Sequence, residues 1–181
     1  LAEHAAHIWD FIILDTATGM ERIAIELATR TYKASVIGKT FTGDNILDLP
    51  KGAGYFQFWQ AFQTMMSYFA SRCRHLIIIA HVREKFIEGK NVKEVAIQDM
   101  DQTGKVKTIM TSTVDCTGYL YRAANDEVKV TFFTRDLTGN RFAFLEGKEF
   151  VISRKLKDDS VQTYWELFFP EVAPQAPIKR I

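Results

Sequence analysis

Two unbroken apolar runs, Phe11 to Leu14 and Leu76 to Ala80, constrain the fold of this chain more than any other feature. Each is short and each ends on a polar residue, Asp15 after the first and His81 after the second. An apolar run without alternation suits a strand covered on both faces, as in the centre of a parallel sheet. Between the runs, Thr16 to Tyr32 places Met20, Ile23, Ala24, Leu27 and Ala28 at the spacing of an amphipathic helix. Tyr55 to Arg74 does the same through Tyr55, Trp59, Phe62, Met66, Phe69 and Cys73, which predicts a longer helix. Strand, helix, loop, helix and strand in that order predict a parallel α/β sheet with right-handed crossovers.

Composition agrees with a folded domain. The chain has 181 residues, 47% of them hydrophobic and 25% charged, with 10 Gly and 4 Pro. These values exclude disorder, collagen-like repeats and a disulfide-stapled miniprotein. The net charge of +1 predicts no generic affinity for polyanions, so any nucleic-acid contact has to come from a local basic patch. Cys73 and Cys116 are far apart and read as free thiols of a reducing cytoplasm. No apolar run approaches the roughly 18 residues that span a bilayer, so no membrane association is expected. The chain opens on Leu1 without an initiator Met or a signal-peptide pattern and enters a helical stretch from Ala2 to Trp9, which reads as a piece of a longer protein.

The remaining stretches are less regular. Lys33 to Gly54 lacks a convincing period and reads as a long, mobile loop, and Val82 to Lys105 reads as a surface loop or small excursion. Val114 to Ala123 and Val128 to Thr134 flank a turn at residues 124–127 and predict an antiparallel hairpin at the sheet's edge. Ser160 can cap a last helix from Val161 to Phe169, stopped by Pro170, and Pro174 and Pro177 predict an extended tail. The expected organisation is a core over residues 1–155 and a C-terminal helix and tail over residues 156–181.

The chemistry-bearing candidates lie at the strand ends. In open α/β sheets ligands bind outside the carboxyl ends of the strands, where Asp15 and His81 would meet. A carboxylate there can hold Mg²⁺ against nucleotide phosphates, and an imidazole can bond a phosphate oxygen or the attacking water. The plainer alternative makes Asp15 a helix cap and His81 a polar strand end. Gly38-Lys39-Thr40 imitates the end of a phosphate-binding loop, but Lys33 stands where that pattern needs Gly, and it is rejected. His4 and His7 lack further metal ligands, and Asp99, Asp101 and Gly104 lack the Glu that closes a calcium loop. Lys33, Lys39 and Lys51 in the first loop and Arg83, Lys85, Lys90 and Lys93 in the second can line a nucleic-acid face, with Tyr55 and Phe86 for base stacking; ordinary solvated loops are the alternative. Arg135 and Arg141 can reach a neighbouring subunit's phosphate or remain surface arginines.

The order of these pieces resembles a known family. Trp9 to Thr16 looks like the Walker B strand of RecA-type P-loop ATPases, and His75 to Lys85 looks like the sensor strand that follows it. Asp99 to Lys105, Val114 to Arg122 and Gly139 to Phe142 are similar to segments of phage-type AAA/RecA-like nucleotide-binding proteins, a group that includes single-strand annealing recombinases. The resemblance covers roughly Trp9 to Glu146. It implies a RecA-like α/β core, mainly parallel and flanked by helices, that binds and hydrolyses ATP with Mg²⁺. Asp15 would be the catalytic, metal-binding carboxylate, Thr16 its companion hydroxyl, His81 the γ-phosphate sensor, and Arg141 a nucleotide contact. The two loops occupy the order of the DNA-binding loops of RecA-type recombinases. The implied protein is a cytoplasmic phage homo-oligomer acting on single-stranded DNA in recombination or replication. A Walker A loop is not found between Leu1 and Asp15 and is expected upstream. If none exists there, the alternative is a non-catalytic, degenerate ATPase-fold protein with a structural or interaction role.

Overall fold

A computed structural model describes residues 8–88, 93–103, 105–132, 141–172 and 178–179. The apolar run at the start becomes strand β1 (Trp9–Asp15), followed by helix α1 (Ala17–Ala34). Thr16 sits between them as the helix cap in extended conformation, its Oγ1 accepting from the Gly19 amide at 3.5 Å. Helix α2 (Ala53–Ala70) leads into β2 (Cys73–Ile79). Strand β1 pairs with β2 in parallel, from Trp9 opposite Cys73 to Asp15 opposite Ile79. The strand–helix–helix–strand order, the helices and the parallel pairing are those the sequence predicts.

The even-numbered face of this pair carries the core. Leu14, Leu76 and Ile78 pack against a cluster built from Ala17, Met20, Ala24 and Ala28 of α1 and Phe58, Phe62 and Met66 of α2. Phe58 and Phe62 are fully buried, each contributing about 1.5–3 kcal/mol by loss of apolar surface to water. The odd-numbered face differs from the two-sided burial expected of such runs. There Phe11 stacks on His75 with ring centroids 4.9 Å apart, while Trp9 and Ile13 are each 60% exposed. Among the described residues β1 and β2 have no other strand neighbour.

The connection between the helices is not the mobile loop expected. Three short 3₁₀ turns, Ile37–Thr40, Ile46–Asp48 and Pro50–Gly52, tile it. Ile46 is fully buried, and its amide donates to Thr29 Oγ1 of α1 at 2.9 Å. The close approach of α2 to this segment requires Gly54, where a Cβ would lie 1.8 Å from the Ile46 carbonyl oxygen.

Two further expectations are corrected. Val82 to Lys105 is chiefly an antiparallel hairpin, β3 (Val82–Glu88) with β4 (Lys93–Met100), and the short helix α3 (Val106–Thr113) follows. The register shift opposite Lys85 and Phe86 leaves Ala96 of β4 as the extra, unpaired residue, and the consecutive charges Arg83, Glu84 and Lys85 deny β3 the alternation that would have marked it in the sequence. The expected helix from Val161 to Phe169 is instead strand β8 followed by a single 3₁₀ turn, Trp165–Leu167. The strand belongs to a five-stranded antiparallel sheet of β5 (Tyr119–Arg122), β6 (Val128–Thr131), β7 (Glu149–Lys155), β8 (Ser160–Thr163) and β9 (Ile178–Lys179), in that order. Ser160 caps no helix: its amide and hydroxyl both turn to Asp158, and Asp159 at φ 62° completes a tight β7–β8 turn. The β5–β6 hairpin is as expected, but as part of this sheet rather than as the edge of a mainly parallel one. Parallel pairing among the described residues is confined to β1 and β2.

The chain forms two compact units, Leu1–Met110 and Thr111–Ile181, dividing inside α3. In the second unit Phe150 meets Phe132 and Phe168 edge-on, beside the buried Ile152. Of the expected Ala2 to Trp9 helix only Ile8 and Trp9 are described, and Trp9 opens β1; His4, His7 and Arg135 lie outside the described residues.

Candidate functional site

The parallel register decides what stands at the carboxyl edge of the sheet. Asp15 is the last residue of β1 and lies opposite Ile79, the last residue of β2; His81 follows two positions later. Both Asp15 and His81 are exposed. Thr16 continues from Asp15 through a cis peptide and caps α1. A carboxylate, a hydroxyl and an imidazole therefore share one edge, beside the N-terminus of a helix, whose free amides favour negative charge. Among the described residues no three His, Cys, Asp or Glu side chains converge into a metal cluster. A cation at Asp15 would complete its shell with water and phosphate oxygens, which is how Mg²⁺ is ordinarily held beside nucleotides.

His81 also begins the hairpin. Its carbonyl accepts the Asp101 amide at 2.9 Å, and Arg83 reaches the Asp101 carboxylate at 3.6 Å. Arg83 is thus part of the hairpin's base. Lys85 and Lys93 stand in β3 and β4, and Lys90 lies outside the described residues. Lys39 and Lys51 are exposed in the connection between α1 and α2, with Lys51 at φ 58°. Gly38, of the rejected phosphate-loop lookalike, packs against the Tyr32 carbonyl and gives its amide to Ser35 Oγ at 3.1 Å. That amide is not directed at a phosphate.

Arg141 belongs to the second unit and is held there. Its guanidinium donates to the Ser112 carbonyl at 2.9 Å and lies 3.5 Å from the Asp115 carboxylate. Of the possible calcium loop, Asp101 is the Arg83 partner and Gly104 lies outside the described residues. Both cysteines are free, and burial pushes each thiol up from its usual range, which makes them poor nucleophiles.

Sequence reasoning missed Glu21 and Thr103. Glu21, on the second turn of α1, is only 7% exposed, and its carboxylate accepts the Thr103 amide at 2.7 Å and the Thr103 hydroxyl at 2.9 Å. A signal was present: Ala17, Met20, Glu21, Ala24 and Ala28 form one stripe at helical spacing, so a carboxylate stands on the buried face.

The AAA domain family model matches residues 2–154, most of the chain and both strands that carry the site. The chain belongs to the AAA domain family. Membership of this AAA family supports an α/β P-loop type of fold and a nucleotide-binding, ATPase-like function. Comparison with curated proteins and with solved structures finds no match. Among the described residues no helix is long and apolar enough to cross a membrane.

Proposed function

We propose that this AAA-family chain carries the hydrolytic edge of a RecA-like ATPase of phage origin, which acts on single-stranded DNA in recombination or replication as a homo-oligomer. The observation that carries the reading is the parallel register that ends β1 on Asp15 beside the end of β2 and His81. A strand-end carboxylate followed by a helix N-terminus is the arrangement that positions a metal-bound phosphate.

In this reading Asp15 orients the metal, directly or through water, and the Thr16 hydroxyl, only weakly engaged at 3.5 Å as a cap, is free to turn toward the same ligand shell. His81 lies close enough in sequence to the hairpin to link the phosphate edge to it. Mg²⁺, when bound, neutralises phosphate charge. What supports the nucleic-acid part is the cation content of β3 and β4, with Arg83, Lys85 and Lys93, in the order of a recombinase DNA-binding loop; Lys39 and Lys51 are further candidates.

The experiment is steady-state ATP hydrolysis by the full-length natural protein and its Asp15→Ala variant. Loss of turnover with unchanged circular dichroism is expected. Normal turnover by Asp15→Ala removes the site assignment, and no turnover by the natural protein favours a non-catalytic, structural role.

A further inference from the structure

The hairpin β3–β4 leaves the sheet at His81 and returns at Asp101, and what fastens its return is a buried carboxylate on a different element. Glu21 lies on α1, the helix that starts immediately after Asp15 and Thr16. Thr103 lies three residues beyond the end of β4 and 82 positions from Glu21. Both Glu21 oxygens are engaged, one by the Thr103 amide at 2.7 Å and the other by its hydroxyl at 2.9 Å. Two donors converge on one carboxyl group, and burial of Glu21 shields both bonds from water.

Two weaker ties flank this one. Gln102 Nε2 reaches Thr18 Oγ1, on the first turn of α1, at 3.5 Å, and the Asp101 amide donates to the His81 carbonyl at 2.9 Å. The base of the hairpin is therefore closed on His81, two residues past β2, and its returning strand is tied through Gln102 and Thr103 to the first two turns of the helix that follows β1. We propose that Glu21 is a positioning residue: it latches the base of hairpin β3–β4 to the start of α1, so that occupancy of the Asp15 edge changes the order of the hairpin. The response to nucleotide rests on the function proposed above, whereas the latch itself does not.

A purely structural contact would be served equally well by packed apolar side chains. A carboxylate with two donors differs in being directional: it is satisfied in one register of the hairpin base and loses its donors if α1 or the hairpin shifts.

The test is amide hydrogen exchange in the full-length natural protein, with and without Mg²⁺–ATP, comparing wild type with Thr103→Val and Glu21→Gln. Thr103→Val removes only the hydroxyl donor and keeps the amide, so it preserves the fold if Glu21→Gln does not. Without nucleotide, the amides of Val82–Met100 are expected to exchange about tenfold to a hundredfold faster in the variants, while those of α2 keep wild-type rates. With Mg²⁺–ATP, the hairpin amides slow in the wild type and fail to slow in the variants. Unchanged hairpin rates in both variants overturn the latch. Equal slowing by nucleotide in wild type and variants overturns the coupling but leaves the nucleotide reading intact. A wild type indifferent to Mg²⁺–ATP overturns the coupling and the nucleotide reading together, and faster exchange in the variants then supports the latch alone.

Discussion

Replacing Thr29 by Val tests how the chain between α1 and α2 is held. The hydroxyl of Thr29 accepts the amide of the fully buried Ile46 at 2.9 Å and donates to the Ile25 carbonyl at 2.7 Å. Val has nearly the same shape, so packing is retained and the Ile46 amide alone is left without its acceptor. A buried donor deprived of its partner costs about 1–3 kcal/mol. With a urea dependence of about 2 kcal/mol/M for a unit of this size, the midpoint should fall by about 0.5–1.5 M. The assay is urea unfolding by tryptophan fluorescence in a Trp165→Phe background, which leaves Trp9 and Trp59, both of the first unit, as reporters. Thr29→Ser keeps the acceptor and should lose less. A Thr29→Val midpoint within about 0.2 M of its parent would refute the claim that this bond ties the segment down.

Gly54→Ala should destabilise the first unit by about 1–3 kcal/mol or more, because the new methyl meets the Ile46 carbonyl at 1.8 Å with backbone on both sides; the same urea titration reads it. The carboxyl of Glu127 is held below the usual carboxylate range by the Asn125 side chain and then by Arg154, whose guanidinium lies 2.6 Å away. A depressed folded value means that this group stabilises the second unit above its unfolded pKa and that the contribution is lost as pH falls through the folded value. Acid titration followed by Trp165 fluorescence should therefore show a loss of stability that Glu127→Gln makes less steep.

The legible parts of the sequence were those in which one local pattern decides the outcome. The runs ending in Asp15 and His81 gave the strands, and the stripes through Met20 and Phe62 gave the helices, because burial against a helix layer demands these periods. The carboxyl-edge placement of Asp15 followed from the parallel order alone. Hairpin β3–β4 escaped because the consecutive charges Arg83, Glu84 and Lys85 give β3 no alternation and an extra residue, Ala96, bulges from β4. Strand β8 escaped because Asp158, Asp159 and Ser160 serve equally as a helix cap or as a tight turn, and the β-branched Val161 and Thr163 with the strand partner Ser153 decide for the turn. The Glu21 and Thr103 pair could not be read as a pair, since nothing local links residues 82 positions apart, although a carboxylate on the apolar stripe of α1 marked one half of it.

The central claim is that the carboxyl edge of β1 and β2 receives a metal-bound nucleotide. Its most direct test is equilibrium titration of the full-length natural protein with Mg²⁺–ATP, read by exchange protection residue by residue. Saturable protection centred on the amides of Thr16 to Met20 and of Ala80 to Val82 is expected, abolished in Asp15→Ala. Saturable binding that protects other residues and survives Asp15→Ala, or no binding at all, would contradict it.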